Sequence, residues 1–156
     1  MKILEENDKL KLIVDKLTDV AKKATCKRSK CGSVLISEYG NLIGSGYNSM
    51  PCNVDSACFK DELPTGFKSD KTCCIHAEQR AIMEGLKHYS RLVEGSTLYF
   101  LRLDDNDQPK QSGQPYCSIC SKMALDAGIK YFVLWHKEGW TAYETEEYNS
   151  LTFKYE

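Results

Sequence analysis

Four side chains in this sequence have the types and spacing to do chemistry. His76 and Glu78 sit at the start of a helical stretch, "CCIHAEQRAI", and Cys117 and Cys120 open another, "QPYCSICSKMALDAG". Three residues apart in the first turn of a helix, the two sulfurs lie on one face. The positive end of the helix dipole lowers thiol pKa there and prepares both for a divalent cation. His76 makes the set one nitrogen and two sulfurs, which suits zinc. It also leaves the fourth tetrahedral position open to water, the mark of a catalytic rather than a structural site. Glu78 would stand beside that position without ligating. A metal pulls the pKa of such a water towards ~7, and an adjacent carboxylate can take and return its proton. Either half alone is ordinary: a lone CxxC is as readily a redox pair or two buried thiols, and HAE occurs by chance on helices. Two such helix starts in one chain are far more specific.

Those helices need a frame. From Leu4 to Ala24 apolar residues recur at Leu10, Ile13, Val14, Leu17, Val20, Ala21 and Ala24, a helical period. "SVLIS" and "NLIGSGY" flank "EYG", a hairpin signal with Gly40 able to take positive φ. Residues 48–72, with Pro51, Pro64, Gly66 and several cysteines, read as a surface insert. The helix beginning near His76 runs to about His88, "STLYFLRL" is a strand, and "DDNDQPKQSGQP" a polar loop. The second helix starts near Cys117 and ends at Gly128, a good C-cap. "KYFVLW" is a further strand, and the tail through "TAYETEEYNSL" reads as a short helix. This order predicts one domain over residues 1–156, an α/β layer fold with helices packed on a mixed sheet.

Composition narrows the partners. The chain has 156 residues, 42% hydrophobic, enough for a real core, and a net charge of −1, so no polycationic face for duplex nucleic acid is expected. No apolar run approaches the ~20 residues of a membrane span. "MKILEENDKLKLIVDKL" is too charged for a signal peptide, which predicts a cytosolic protein. In that compartment the eight cysteines are read as buried, catalytic or metal-bound thiols rather than disulfides.

The order H-x-E…P-C-x-x-C is the zinc deaminase signature. The chain resembles the cytidine deaminase-like superfamily and, within it, the deoxycytidylate (dCMP) deaminases. The likeness spans roughly Lys9 to Trp135 and rests on "CGSVLIS", "GSGYNSMP", "IHAEQRAI" and "QPYCSICSKMALDAGIK", with the insert "CFKDELPTG" also like that of many dCMP deaminases. It implies a three-layer α/β/α fold with a mixed central sheet and a zinc ion on His76, Cys117 and Cys120. The implied reaction converts dCMP to dUMP and ammonia by attack of zinc-activated water at C4. Glu78 would receive the water proton, pass it to ring N3, and then help protonate the leaving ammonia. The resemblance further implies that Asn48 hydrogen-bonds the substrate near its sugar and that the Ala77 backbone meets the pyrimidine edge. Phosphate contacts are expected in the loop of Lys27, Arg28, Ser29 and Lys30, where an arginine could grip bidentately. Cys26, Cys58 and Cys74 are candidate ligands of a second, structural zinc, with Cys52 or Cys73 in reserve. His136 and Trp140 are candidates to stack on or close over the base. The family also implies a homo-oligomer. One departure stands out: Tyr116 intervenes between Pro115 and Cys117, where the family places proline directly before the cysteine, and this is expected to shift the turn. Two competing readings are a deaminase acting on another nucleoside, a nucleobase or single-stranded nucleic acid, and a zinc-binding module without turnover.

Overall fold

A computed structural model describes residues 1–26, 28–54, 58–64 and 73–154. Helix α1 (Asp8–Ala21) begins four residues later than the apolar period suggests, because the Asn7 side chain accepts from the Leu10 N–H at 2.9 Å and caps it. Its apolar stripe, Leu10, Ile13, Leu17, Val20 and Ala21, is buried. Strands β2 (Lys30–Ile36) and β3 (Leu42–Tyr47) form the expected hairpin, with Gly40 at φ 89 in the turn. Helix α2 (Ala77–His88) packs across β3 so closely that a Cβ on Gly44 would meet the Ala81 carbonyl, and one on Gly46 the Ala77 carbonyl. The two glycines of "IGSGY" therefore set how near the start of α2 can lie to the sheet.

After the short helix α3 (Ser90–Val93) come β4 (Thr97–Leu103), β5 (Pro109–Lys110), α4 (Ser118–Asp126), β6 (Tyr131–His136), β7 (Gly139–Glu144) and α5 (Thr145–Thr152). A two-residue strand, β1 (Lys2–Ile3), pairs with β7. Among the described residues, seven strands make one sheet in the order β1-β7-β6-β4-β2-β3, with β5 attached to β4. The β4–β6 pair is parallel and its neighbours are antiparallel, so the sheet is mixed as predicted. Period-two alternation gives it two apolar faces. Val34, Leu101 and Val133 pack under α1, whereas Leu35, Leu98 and Phe132 pack under α2, α4 and α5. The result is three layers, α/β/α.

The tail differs from expectation. Residues 139–144 are not helical but form β7, antiparallel to β6, and only Thr145–Thr152 is a helix. Gly139 at φ 128 turns the chain back. Trp140 and Ala142 then join the α1 face and Tyr143 the other, a strand alternation that the acidic residues downstream obscured. The polar loop also contains structure. The Asp104 carboxylate accepts from the N–H groups of Asn106 and Gln108 at 2.8 and 3.0 Å, and β5 folds back onto β4. With two residues each, β1 and β5 are too short to show any periodicity. No helix among the described residues is long and apolar enough to cross a membrane.

Candidate active site

The two helix starts meet. Ile75 bridges to Ser49 just past β3, its N–H donating to the Ser49 carbonyl at 2.9 Å, and this delivers His76 to the N-cap of α2. The His76 N–H donates to Gln79 Oε1 at 3.0 Å, closing the first turn. Cys117 is the N-cap of α4, and its carbonyl accepts from the Ser121 N–H at 3.1 Å. His76 Nδ1 lies 3.2 Å from Cys120 Sγ and 3.4 Å from Cys117 Sγ, and the two sulfurs are 3.4 Å apart. Zinc bonds of ~2.0 to 2.3 Å in a tetrahedron put neighbouring ligand atoms roughly 3.6–3.8 Å apart, so this triangle fits the ion with a small outward shift. Among the described residues, His76, Cys117 and Cys120 are the group of three whose donor atoms could hold a metal. The extra residue before the cysteines does not pull them out of reach. Pro115 is buried, and Tyr116, although 55% exposed, lines the cavity beside Cys117.

Electrostatics sharpen the picture. Cys117 is held down to about 4, chiefly by its hydrogen bond with the Cys120 thiol and despite partial burial, while Cys120 itself is pushed well up by that same bond and by burial. A divalent cation bound by both sulfurs would displace the proton of that hydrogen bond. The Glu78 carboxyl is buried beside them and pushed up to about 7, first by desolvation and then by the negative Cys117. A carboxyl near neutrality can either hold or accept a proton.

Glu78, Ala77, Asn48 and Ser29 line one cavity of about 500 Å³ with His76 and Cys117. The Asn48 amide braces the backbone of the neighbouring strand. Its Oδ1 accepts from the Cys31 N–H at 2.8 Å and its Nδ2 donates to the Ser29 carbonyl at 2.7 Å, pinning the start of β2 to the end of β3. The basic loop is dispersed. Arg28 is exposed, Lys27 lies outside the described residues, and Lys30 turns to Asp107 at 2.7 Å, its strand neighbour Cys31 facing the cavity instead. His136 and Trp140 are not positioned to cover a base. Trp140 is 6% exposed in the α1 core, stacked on Trp135 across the sheet from the site, because strand alternation sends it there. His136 Nε2 hydrogen-bonds the Tyr143 hydroxyl at 2.8 Å.

The remaining thiols gather near α2. Cys58 Sγ is 3.6 Å from Cys73 Sγ, and Cys74 hydrogen-bonds Cys26. Cys74 is pushed up to about 11, mainly by burial and then by Cys26, with Cys58 and Cys73 adding to it. Cys52 is exposed.

Several cavity residues escaped the sequence reading, Tyr148, Arg102 and Ser112 among them. Tyr148 reaches in from α5, stacked on Phe132 with centroids 3.9 Å apart, and the Tyr116 backbone hydrogen-bonds its oxygen. No local pattern marks a tail tyrosine as part of a site. Arg102 and Ser112 line the cavity from β4 and from the segment after β5. The alternation of β4 could have placed Arg102, since it shares a face with Phe100 and Leu98.

Residues 7–136 match the sequence model of the cytidine and deoxycytidylate deaminase zinc-binding region. Solved structures share the fold. The dCMP deaminase of the cyanophage S-TIM5, in complex with dCMP and dUMP, is 23% identical with TM-score 0.57 over 82% of each chain. Its apo form is 22% identical with TM-score 0.53, covering 81% of this chain and 82% of that one. The cytidine deaminase of Burkholderia pseudomallei is 14% identical with TM-score 0.58, covering 88% of this chain and 94% of that one. No curated protein matches the sequence.

Proposed function

The chain belongs to the cytidine and deoxycytidylate deaminase family of zinc-dependent hydrolases, and within it we propose that it hydrolyses dCMP to dUMP and ammonia. The observation that carries this reading is the convergence of His76, Cys117 and Cys120 with the buried Glu78 carboxyl on one cavity. Zinc bound by the three would supply a Lewis acid that makes water a nucleophile near neutral pH. The chain's own groups do the rest. Glu78 takes one proton from the attacking water and delivers it to N3 of the cytosine ring, where it stays. It then moves the second, from the hydroxyl added at C4, to the amino group as that group leaves and the C4 carbonyl forms. One water enters and one ammonia departs. The Ala77 backbone faces the ring edge, and the second Nδ2 hydrogen of Asn48 is available to a sugar oxygen. A nucleotide is preferred over a nucleoside because the cavity, about 500 Å³, has room for base, sugar and phosphate together.

The test is ammonia release by zinc-loaded protein over a panel of dCMP, CMP, deoxycytidine, cytidine, cytosine and adenosine, with Glu78→Ala alongside. Turnover of dCMP that vanishes in the variant, with zinc content unchanged, is expected. Preference for another compound would overturn the dCMP assignment, and silence across the panel with zinc present would leave the binding-module reading.

We further propose a second, structural zinc held by Cys26, Cys58 and Cys74 with Cys73 as the fourth ligand. Cys58 and Cys73 Sγ lie 3.6 Å apart and Cys74 hydrogen-bonds Cys26, two thiol pairs that a tetrahedral ion would draw together. Metal analysis should return two zinc per chain, and one in Cys58→Ser. A count of one in the unaltered protein would dispose of this site.

A further inference from the structure

We propose that Arg102 and Ser112 form the wall of the cavity that binds the phosphate of a nucleotide substrate, a role the sequence assigns to the 27–30 loop. The inference rests on the deaminase reading above and concerns the same cavity.

Arg102 stands near the end of β4 with Cys31 opposite it on β2 and Lys110 opposite it on β5. Its side chain lines the cavity that also holds Glu78. Its Nε is buried without a hydrogen-bond partner, and with the described residues Arg102 makes no ion pair. A buried guanidinium N–H left unpaired is costly, and native proteins rarely tolerate one without an acceptor to come. The Cys31 thiol opposite offers no counter-charge, since burial pushes it up to about 12 and keeps it neutral.

Ser112 presents the same feature from another direction. Its N–H donates to the Trp135 carbonyl at 2.7 Å and its own carbonyl lies 3.3 Å from His136 Nδ1, so its backbone is fixed against the end of β6. Its hydroxyl, however, is buried and unpartnered, and Ser112 lines the same cavity. Two orphaned donors on one cavity, one of them cationic, call for an acceptor-rich anion. A phosphate monoester supplies several oxygens in the geometry a guanidinium binds bidentately.

The hairpin that carries these residues is braced for the purpose. Lys30 is tied to Asp107 at the β4–β5 turn, 2.7 Å away, and so anchors that turn to β2 rather than entering the cavity. The chain has thus spent its favoured basic residue on holding the arm that presents Arg102.

The test measures binding of dUMP and of deoxyuridine to the zinc-loaded protein by calorimetry, with inorganic phosphate as a third probe. The unaltered protein should bind dUMP at least about tenfold more tightly than deoxyuridine, as a charge-assisted contact predicts. Arg102→Gln should collapse that ratio towards one, and Ser112→Ala should narrow it. Inorganic phosphate should compete with dUMP and not with deoxyuridine. Equal affinity for the two ligands in the unaltered protein, or a ratio that survives Arg102→Gln, overturns the proposal. Should Arg102→Gln fail to fold by circular dichroism, Arg102→Lys decides, because it keeps the charge and loses the fork, and an undiminished ratio there also overturns it. Failure of the deaminase reading looks different: no cytosine compound releases ammonia. Failure of this inference alone leaves deamination intact, with a dCMP preference over deoxycytidine that is the same in Arg102→Gln as in the unaltered protein.

Discussion

At the scale of single residues, Glu78 and Asn48 show how one side chain can be committed to structure and to chemistry in different proportions. Glu78 makes no ion pair with a described residue, and its burial beside the Cys117 sulfur raises its carboxyl to about 7. In the proposed role of proton shuttle, Glu78→Gln should fold and bind zinc yet lose ~10²- to 10⁴-fold in turnover, read as kcat with metal content measured in parallel. Asn48 is the opposite case. Both ends of its amide hold β2 and β3 together, at 2.8 and 2.7 Å. Asn48→Ala leaves the Cys31 N–H and the Ser29 carbonyl without partners, and denaturant unfolding should show a loss of roughly 1–3 kcal/mol alongside any rise in KM. A stability loss near zero would mean the amide serves substrate alone.

Among elements, the contact of α2 with β3 decides where the histidine stands. Gly44 and Gly46 let the helix lie against the strand backbone, and the first turn of α2 carries Ala77 and Glu78 into the cavity. Gly46→Val would drive a branched side chain into the Ala77 carbonyl and the Arg80 side chain. The helix start would have to move, with overpacking costs of ~1–3 kcal/mol or more and a shifted His76. Weaker zinc retention on dialysis, together with a lower melting temperature, is the expected outcome. Unchanged zinc affinity would show that the helix start adjusts independently of its packing. The β4–β5 hairpin illustrates the same principle on the other wall: a polar stretch with an Asx turn at Asp104 becomes the arm that positions Arg102.

For the whole molecule, the site is a joint between layers. His76 comes from α2 and the cysteines from α4, two helices on one face of the sheet, so a metal held by all three cross-links elements distant in sequence. Removing zinc with a chelator should therefore lower the melting temperature as well as abolish turnover, with both restored by added zinc. An unchanged melting temperature would mean that the apolar layers alone hold the helices in place. The sequence by itself pointed to His76, Cys117 and Cys120 as candidate ligands, to the neighbouring carboxylate and to helices layered on a mixed sheet. It could do so because helical periods, glycine turns and the CxxC spacing are local signals that survive without a partner, whereas the three-layer order came from the resemblance those motifs carry. The sequence also determined the family. Local pattern could not reach β7, which borrows its definition from pairing with β6, or β1 and β5, which are too short for any period. Nor could it foresee that Trp140 lies across the sheet from the site, that Lys30 is spent on Asp107, or that Arg102 and Ser112 reach the cavity unpaired. Those facts depend on which face of a strand a side chain takes and on which distant segment meets it, and only the tertiary structure decides either.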